Sequence, residues 1–255
     1  MPETSGPVPM PLANLRDLGG IRVQGGRIRP GLVLRADDVA TTTPDQVAEL
    51  VEAGLSTIID LRSAEEAQRT GRGPSAAHPV QYVALPLTES PGTPEKLAGQ
   101  LLASVSSPEH VGRWYARIFE DRAADLVRGL EAVAGSPGTV LFHCAAGKDR
   151  TGLFAAALLS TLGADGDAIT DDYGQTQARL PEVYRRMGLA KLSAGIGIPM
   201  DHPVLAAHPA AMRTMLATLE ERAGGARSVL HAGGLTPGLV GRLRGKLVQP
   251  VPDQV

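Results

Sequence analysis

The feature that most constrains this chain is the run from Thr139 to Leu162, in which an apolar segment, a short loop and a second apolar segment follow one another. Thr139 to His143 is almost continuously apolar, as strands buried on both faces tend to be. Arg150 to Leu162 then has the composition of a buried helix. A central strand that passes directly into a helix is a building unit of α/β sheets, so this run predicts an α/β fold.

Strand-like and helix-like segments alternate along most of the remaining chain, which supports the same fold class. Further strands, each bounded by Gly, Pro or polar residues, are predicted at Ile21 to Ile28, Leu32 to Arg35, Thr57 to Leu61 and Gln81 to Leu85. Two helix starts are typical of capping boxes. In a capping box, the side chain before the helix accepts a hydrogen bond from a free backbone N–H of the first turn, and the side chain three residues later accepts one from the backbone N–H of the first residue. These pairs are Thr43 with Gln46 and Ser63 with Glu66.

The composition argues against several kinds of partner. The 255 residues include 25 Lys and Arg against 27 Asp and Glu, so the chain lacks the basic surface that binders of nucleic acid or anionic membranes show. We therefore expect no nucleic-acid partner. The longest apolar segment, Gly152 to Leu162, is about half of the roughly 20 residues that a membrane-spanning helix requires, so no membrane insertion is expected. No signal peptide is readable at the start, and the expected compartment is the cytoplasm.

The chain has the length of one globular domain, which we expect over residues 14–248. A flexible N-terminal segment is expected at 1–13 and a C-terminal tail at 249–255. The least regular stretch lies at 180–208 and carries more apolar residues than a solvated loop. It is interpreted either as a helical lid that moves over a site or as a segment packed on the core.

The single cysteine lies at the turn between the central strand and the following helix. Such a turn points successive backbone N–H groups at one spot, and the positive end of the helix dipole adds to them, so a phosphate group can be held there. Small side chains let the backbone curl closely around the phosphate oxygens. The predicted phosphate-binding residues are Ala145, Ala146, Gly147, Lys148, Asp149 and Arg150.

The residues around this turn fit a cysteine-dependent phosphate ester hydrolase. Arg150 would clamp two phosphate oxygens with its planar guanidinium. The positive field of the loop stabilises a thiolate on Cys144, which makes it a nucleophile at neutral pH. Thr151 can donate its hydroxyl to the sulfur when water breaks a phosphocysteine intermediate. His143 is expected to orient the loop through its ring nitrogens rather than to act as a base.

His143 to Thr151 resembles the signature loop of protein tyrosine phosphatases, in the HCxxGKDRT form typical of a bacterial family with dual specificity for proteins and phosphoinositides. Three further segments resemble motifs of that family, namely Asn14 to Gly20, Asp60 to Arg62 and Asp172 with Tyr173. The resemblance implies a central, mostly parallel sheet flanked by helices. It also implies a metal-independent phosphomonoesterase without a cofactor, with phosphotyrosine, phosphoserine or phosphothreonine proteins and phosphoinositides as substrates.

The proton donor for the leaving group stays open between two carboxylates. The resemblance places an acid in the loop after Leu85 and Pro86, where this chain has Glu89. The rival is Asp149 inside the signature loop, which could donate the proton or could orient Arg150 and the loop amides.

Three supporting residues have two interpretations each. Asp60, at a strand end beside Arg62, is more typical of a structural ion pair than of a catalytic group. Lys148 either neutralises additional charge on a substrate such as an inositol phosphate or is a solvated loop lysine. Arg16 either reaches the mouth of the site or fastens the N-terminal hairpin.

Two other functions are compatible with the sequence. The chain has three Phe, one Trp and four Tyr, none obviously placed to stack on phosphotyrosine, so a small phosphorylated metabolite such as a nucleotide or sugar intermediate is an alternative substrate. The loop could also belong to a phosphate-binding module without catalysis. No metal site is expected, because the chain has one Cys and its six His residues include no i, i+4 pair.

Overall fold

The computed structural model describes residues 10–88, 105–188 and 202–250. The strands are β1 (Arg16–Asp17), β2 (Arg22–Val23), β3 (Gly26–Ile28), β4 (Val33–Ala36), β5 (Leu55–Asp60), β6 (Gln81–Ala84), β7 (Thr139–His143) and β8 (Val248–Gln249). The helices are α1 (Pro44–Glu52), α2 (Ala64–Thr70), α3 (Pro108–Asp121), α4 (Ala123–Gly135), α5 (Asp149–Leu162), α6 (Gly166–Gly174), α7 (Leu180–Arg186), α8 (Pro209–Ala223), α9 (Ala226–Ala232) and α10 (Pro237–Leu247).

The central sheet has the strand order β1-β4-β7-β5-β6. Only the pairing of β1 with β4 is antiparallel; β4, β7, β5 and β6 run parallel to their neighbours. The expected α/β fold with a mostly parallel sheet is therefore confirmed. His143 at the end of β7 is in register with Ala36 on β4 and with Asp60 on β5. The chain segments that follow these three residues consequently meet at one edge of the sheet, where α/β proteins bind ligands.

Both faces of the sheet are covered because successive residues of the buried strands point to opposite sides. On β7, Phe142 belongs to the large core that includes α5, and Leu141 belongs to the smaller core beneath α1. Phe142 packs edge-on against Phe154 of α5 at a centroid distance of 4.8 Å. Nearly every residue of α5 is buried, so the helix that starts at the end of the signature loop is fixed on all sides.

The predicted strand from Ile21 to Ile28 is wrong as a single element, because it is a hairpin of β2 and β3. Gly25, with φ of +75°, supplies the left-handed conformation that its two-residue turn requires. The capping box of Ser63 with Glu66 is confirmed in both directions. Thr43 caps α1 without a returned bond, because the Gln46 side chain instead accepts hydrogen bonds from Leu12 N and Thr42 Oγ1.

Packing begins before the predicted domain start at residue 14. Met10 N donates to the Thr41 carbonyl at 3.2 Å, and Leu12 is buried. The 180–208 stretch is described at its two ends. Its first part forms α7 with Leu180 and Val183 buried, and Val204 and Ala207 are buried in its last part. These ends are packed on the core, residues 189–201 lie outside the described residues, and lid motion stays a prediction.

Among the helices of the described ranges, none combines the length and the apolar character needed to cross a membrane.

Candidate active site

The loop between β7 and α5 forms part of the wall of a cavity of about 710 Å³. Cys144 lies at this wall and is 2% exposed. The structure brings most of the predicted phosphate-binding residues to the same cavity, namely Ala145, Ala146, Lys148, Asp149 and Arg150. A volume of this size is typical of small-molecule sites.

Three successive loop carbonyls are held from outside the cavity. Asp38 N donates to the Ala145 carbonyl at 3.1 Å, and Asn14 Nδ2 donates to those of Ala146 and Gly147 at 3.2 and 2.9 Å. Arg35 Nη2 also donates to the Gly147 carbonyl, at 2.9 Å. Because C=O and N–H point in opposite directions across a trans peptide bond, the N–H groups that follow these carbonyls are turned away from the anchors. This is the arrangement that an oxyanion requires.

Gly147 is the one loop position where the backbone demands glycine. Its φ is +66°, in the left-handed region. A Cβ built at this residue would lie 2.5 Å from the carbonyl oxygen of Ala36. The tight curl of the loop therefore depends on the absence of a side chain here.

A buried carboxylate, Asp172 on α6, holds the two arginines behind the loop. Its Oδ2 accepts from Arg35, and its Oδ1 accepts from Arg16 Nε at 3.1 Å. Arg16 also donates to Asn14 Oδ1 at 2.6 Å and to Thr176 Oγ1 at 3.0 Å. Burial and the neighbouring Arg35 charge lower the pKa of Arg16 to about 9, although Asp172 opposes them. Arg16 therefore fastens the N-terminal segment and the loop supports instead of facing the cavity.

Arg150 is paired with Glu66 of α2 through two hydrogen bonds, one of them 2.9 Å long from Nη2 to Oε1. Burial alone would raise the pKa of Glu66, but the Arg150 hydrogen bonds and charge lower it to about 2. These two bonds occupy one N–H on each Nη. The other N–H groups of the guanidinium stay available for an anion, since arginine has five. The sequence predicts Glu66 only as a capping residue of α2.

His143 lies buried behind the cysteine. Its Nδ1 is 3.2 Å from the Cys144 carbonyl oxygen, and its Nε2 is 3.8 Å from Asp60 Oδ1. Burial lowers the pKa of His143, although Asp60 and Asp38 oppose this. Asp60 is itself paired with Arg62, whose hydrogen bonds overcome burial and lower the pKa of Asp60 to about 2. These contacts hold the end of β7 in place.

Of the two candidate proton donors, Asp149 lies within the described residues. Asp149 lies at the cavity, with its side chain 30% exposed. Its Oδ1 accepts a hydrogen bond from the Tyr115 hydroxyl and lies 3.4 Å from Lys148 Nζ. Glu89 lies outside the described residues.

The side chains of Lys148 and Thr151 lie in surroundings that differ from those expected. The Lys148 ammonium is buried, and it donates to the Val204 carbonyl. The interpretation of Lys148 as a solvated loop lysine is therefore wrong. The Thr151 hydroxyl, expected against the sulfur, is buried and has no hydrogen-bond partner within 10–88, 105–188 and 202–250.

The lining of the cavity also includes apolar side chains and two aromatic residues. Trp114 comes from α3 and Tyr184 from α7, and they are joined by Leu87, Ile118, Met187 and Leu205. The sequence alone pointed to no aromatic residue placed to stack on a phosphotyrosine ring, whereas the structure places two aromatic residues in the lining of the cavity. Trp114 is 30 positions before Cys144 in the sequence and Tyr184 is 40 after it, so no local pattern connects them with the loop.

Comparison with known proteins gives consistent matches. The model of the tyrosine phosphatase family matches residues 10–249. A protein of Cupriavidus necator named as a tyrosine-protein phosphatase is 31% identical over 191 residues, which cover 73% of this chain and 68% of that protein. The triple specificity protein phosphatase PtpB of Mycobacterium tuberculosis is 26% identical, covering 87% and 92%. A tyrosine-protein phosphatase of Nostoc commune is 28% identical, covering 85% and 74%.

Proposed function

The chain belongs to the tyrosine phosphatase family and is a phosphomonoesterase, and we propose that it hydrolyses phosphotyrosine through a covalent phosphocysteine on Cys144. The observation that carries this proposal is that Cys144 and Arg150 line the same cavity as the aromatic residues Trp114 and Tyr184. A substrate that joins an anionic group to an aromatic body matches this combination of lining residues.

In the proposed first step, the Cys144 thiolate attacks phosphorus, an S–P bond forms and the bond to the ester oxygen breaks. The departing oxygen takes a proton from the Asp149 carboxyl. Arg150 and the loop N–H groups stabilise the charge on the other phosphate oxygens. The supporting observation for Arg150 is that Glu66 uses only two of its five N–H groups.

In the proposed second step, water attacks the phosphocysteine, the S–P bond breaks and phosphate leaves. The Asp149 carboxylate accepts the proton of this water, which restores the acid for the next cycle. The Thr151 hydroxyl donates to the departing sulfur in this proposal. Its burial without another partner in the described part of the chain leaves that hydroxyl available.

We further propose that specificity is broad, with phosphoserine, phosphothreonine and phosphoinositides as additional substrates. The HCxxGKDRT form of the loop and the relative named a triple specificity phosphatase support this. The cavity of about 710 Å³ has room for more than a phosphate. The two aromatic residues in the lining of the cavity favour phosphotyrosine over aliphatic esters within that range.

The mechanism is tested with p-nitrophenyl phosphate in the presence of a chelator, for the wild type beside Cys144→Ser. We expect turnover in the wild type and none in the variant. The variant should still bind inorganic phosphate with the affinity of the wild type. Full activity of Cys144→Ser would overturn the mechanism. Inactivity of both proteins would support the phosphate-binding module instead.

The substrate is tested with a panel at equal concentrations, containing phosphotyrosine and phosphoserine peptides, a phosphoinositide and sugar and nucleotide monophosphates. We expect the highest kcat/KM for the phosphotyrosine peptide. A preference of several decades for one metabolite would replace the protein substrate by that metabolite.

A further inference from the structure

Two tyrosine hydroxyls and one carboxyl group form a row of hydrogen bonds that leads from the core to the cavity. Tyr173 of α6 and Tyr115 of α3 are fully buried, and their hydroxyl oxygens are 3.0 Å apart. The Tyr115 hydroxyl also bonds Oδ1 of Asp149, the first residue of α5. Three helices thus meet at one polar contact inside an otherwise apolar core.

The direction of these hydrogen bonds follows from the single proton on each phenol. A carboxyl oxygen without a proton only accepts, so the Tyr115 proton goes to Asp149 Oδ1 and the Tyr115 oxygen accepts from Tyr173, whether or not Oδ2 carries a proton. Burial raises the pKa of both tyrosines, so each keeps its proton. The hydrogen bonds therefore run in the order Tyr173 to Tyr115 to Asp149.

The two carboxyl oxygens of Asp149 differ in their hydrogen bonding. Oδ1 accepts from Tyr115 and lies 3.4 Å from Lys148 Nζ. Oδ2 accepts no hydrogen bond from any residue that the structure describes. The carboxyl lines the cavity with its side chain 30% exposed. One oxygen is thus anchored to the core, and the other is left for exchange with a bound molecule.

We propose that Tyr115 and Tyr173 are positioning residues that fix the Asp149 carboxyl, so that Oδ2 carries the proton exchanged with the substrate. This inference rests on the proposed function. Without the Tyr115 hydrogen bond, only the charge of Lys148, whose Nζ lies 3.4 Å from Oδ1, and the charge of Arg150 would set the angle of the Asp149 carboxyl. Holding an acid at a fixed angle is worth a large part of its catalytic effect, because proton transfer requires short, aligned contacts.

The leaving group distinguishes this role from core packing. Phenyl phosphate releases a strongly basic phenolate that needs a proton, whereas p-nitrophenyl phosphate releases a weakly basic one that does not. Tyr115→Phe removes the hydroxyl and keeps the ring in its edge-on contact with Tyr173. Because the leaving group departs in the first step, which kcat/KM reports, we expect kcat/KM for phenyl phosphate to fall about tenfold to a hundredfold, and kcat/KM for p-nitrophenyl phosphate to fall less than about threefold.

Tyr184→Phe is the matched control, because it removes a tyrosine hydroxyl from a residue that lines the cavity. That hydroxyl donates to the Leu205 carbonyl and not to Asp149. We expect Tyr184→Phe to change kcat/KM for the two substrates by the same factor. Tyr173→Phe should repeat the Tyr115→Phe pattern with a smaller difference, and it carries the test if Tyr115→Phe does not fold.

A double variant tests the route of the effect. On an Asp149→Asn background, Tyr115→Phe should cause no further selective loss for phenyl phosphate, since the two residues act as one unit. Equal losses on both substrates in Tyr115→Phe and Tyr173→Phe would overturn this inference. Cys144→Ser would still be inactive in that case, so the proposed function would stand. Turnover by Cys144→Ser would overturn the proposed function itself.

Discussion

Replacing Glu66 by Gln tests how much the ion pair between Glu66 and Arg150, which both line the cavity, contributes to the stability of the fold. The substitution keeps the shape of the side chain and an oxygen for the Ser63 amide, to which Glu66 bonds at 2.8 Å. It removes the charge that faces Arg150. Both side chains are largely buried, at 15% exposure for Arg150 and 22% for Glu66. The variant therefore leaves a buried guanidinium without its counter-charge.

The cost follows from the pKa of Glu66, which falls from 4.5 to about 2 on folding. At 1.36 kcal/mol for each pH unit, this difference corresponds to about 3 kcal/mol of unfolding free energy at neutral pH. Breaking a buried ion pair from one side typically costs a similar 3 to 5 kcal/mol, by an order-of-magnitude rule. Because the folded-state pKa is the lower one, the stabilisation is complete above pH 4.5 and is lost as the pH falls toward about 2.

The measurement is urea unfolding of the wild type and Glu66→Gln at neutral pH and at several acidic values. We expect a difference of about 3 kcal/mol that is constant at neutral pH and narrows below about pH 4.5. Glu65→Gln is the matched control. It removes the same charge from the same helical turn, but Glu65 is exposed. Its expected cost is about 0.3 to 1 kcal/mol, from the helix dipole alone.

Two results would refute this reasoning. Equal losses for Glu66→Gln and Glu65→Gln would mean that the Arg150 pair contributes nothing beyond the helix dipole. A difference that grows as the pH falls would contradict the sign of the pKa change.

Two further substitutions test the loop and the aromatic lining of the cavity. Gly147→Ala places a Cβ 2.5 Å from the Ala36 carbonyl oxygen at a φ of +66°, so we expect a loss of about 1 to 3 kcal/mol in urea unfolding and weaker inhibition by inorganic phosphate; unchanged phosphate inhibition would contradict the account of the loop. Trp114→Ala should raise KM for aryl phosphates about tenfold, while inhibition by inorganic phosphate stays the same; equal weakening of both would mean that the ring shapes the loop instead of the aryl site.

The signature loop could be predicted because its chemistry is contiguous. An apolar strand, small residues and a helix start follow one another from Thr139 onward, and the structure has β7 and the start of α5 within one residue of the expected places. The hairpin of β2 and β3 was less accessible. Its turn is only two residues long, so both strands appeared as one strand-like run.

The partners of the loop could not be predicted, because they depend on packing between distant elements. Glu66 has a clear local role in the capping box, and its second role appears only when α2 lies beside Arg150, 84 residues away. Tyr115 and Trp114 look like ordinary apolar positions of α3. They reach Asp149 and the cavity only because α3 packs beside α5 at the carboxyl edge of the sheet.

The anchoring of the loop carbonyls has a consequence for how the protein is made. Asn14 and Arg35 precede Gly147 by 133 and 112 residues, so they leave the ribosome long before the loop that they hold. Asp172, which pairs with Arg16 and Arg35 behind the loop, is synthesised later still. A nascent chain from which Cys144 has just emerged therefore carries this cysteine before the loop that makes it a nucleophile is complete. Contacts of such long range are also slow to form, so the catalytic cavity is expected to be completed late in folding.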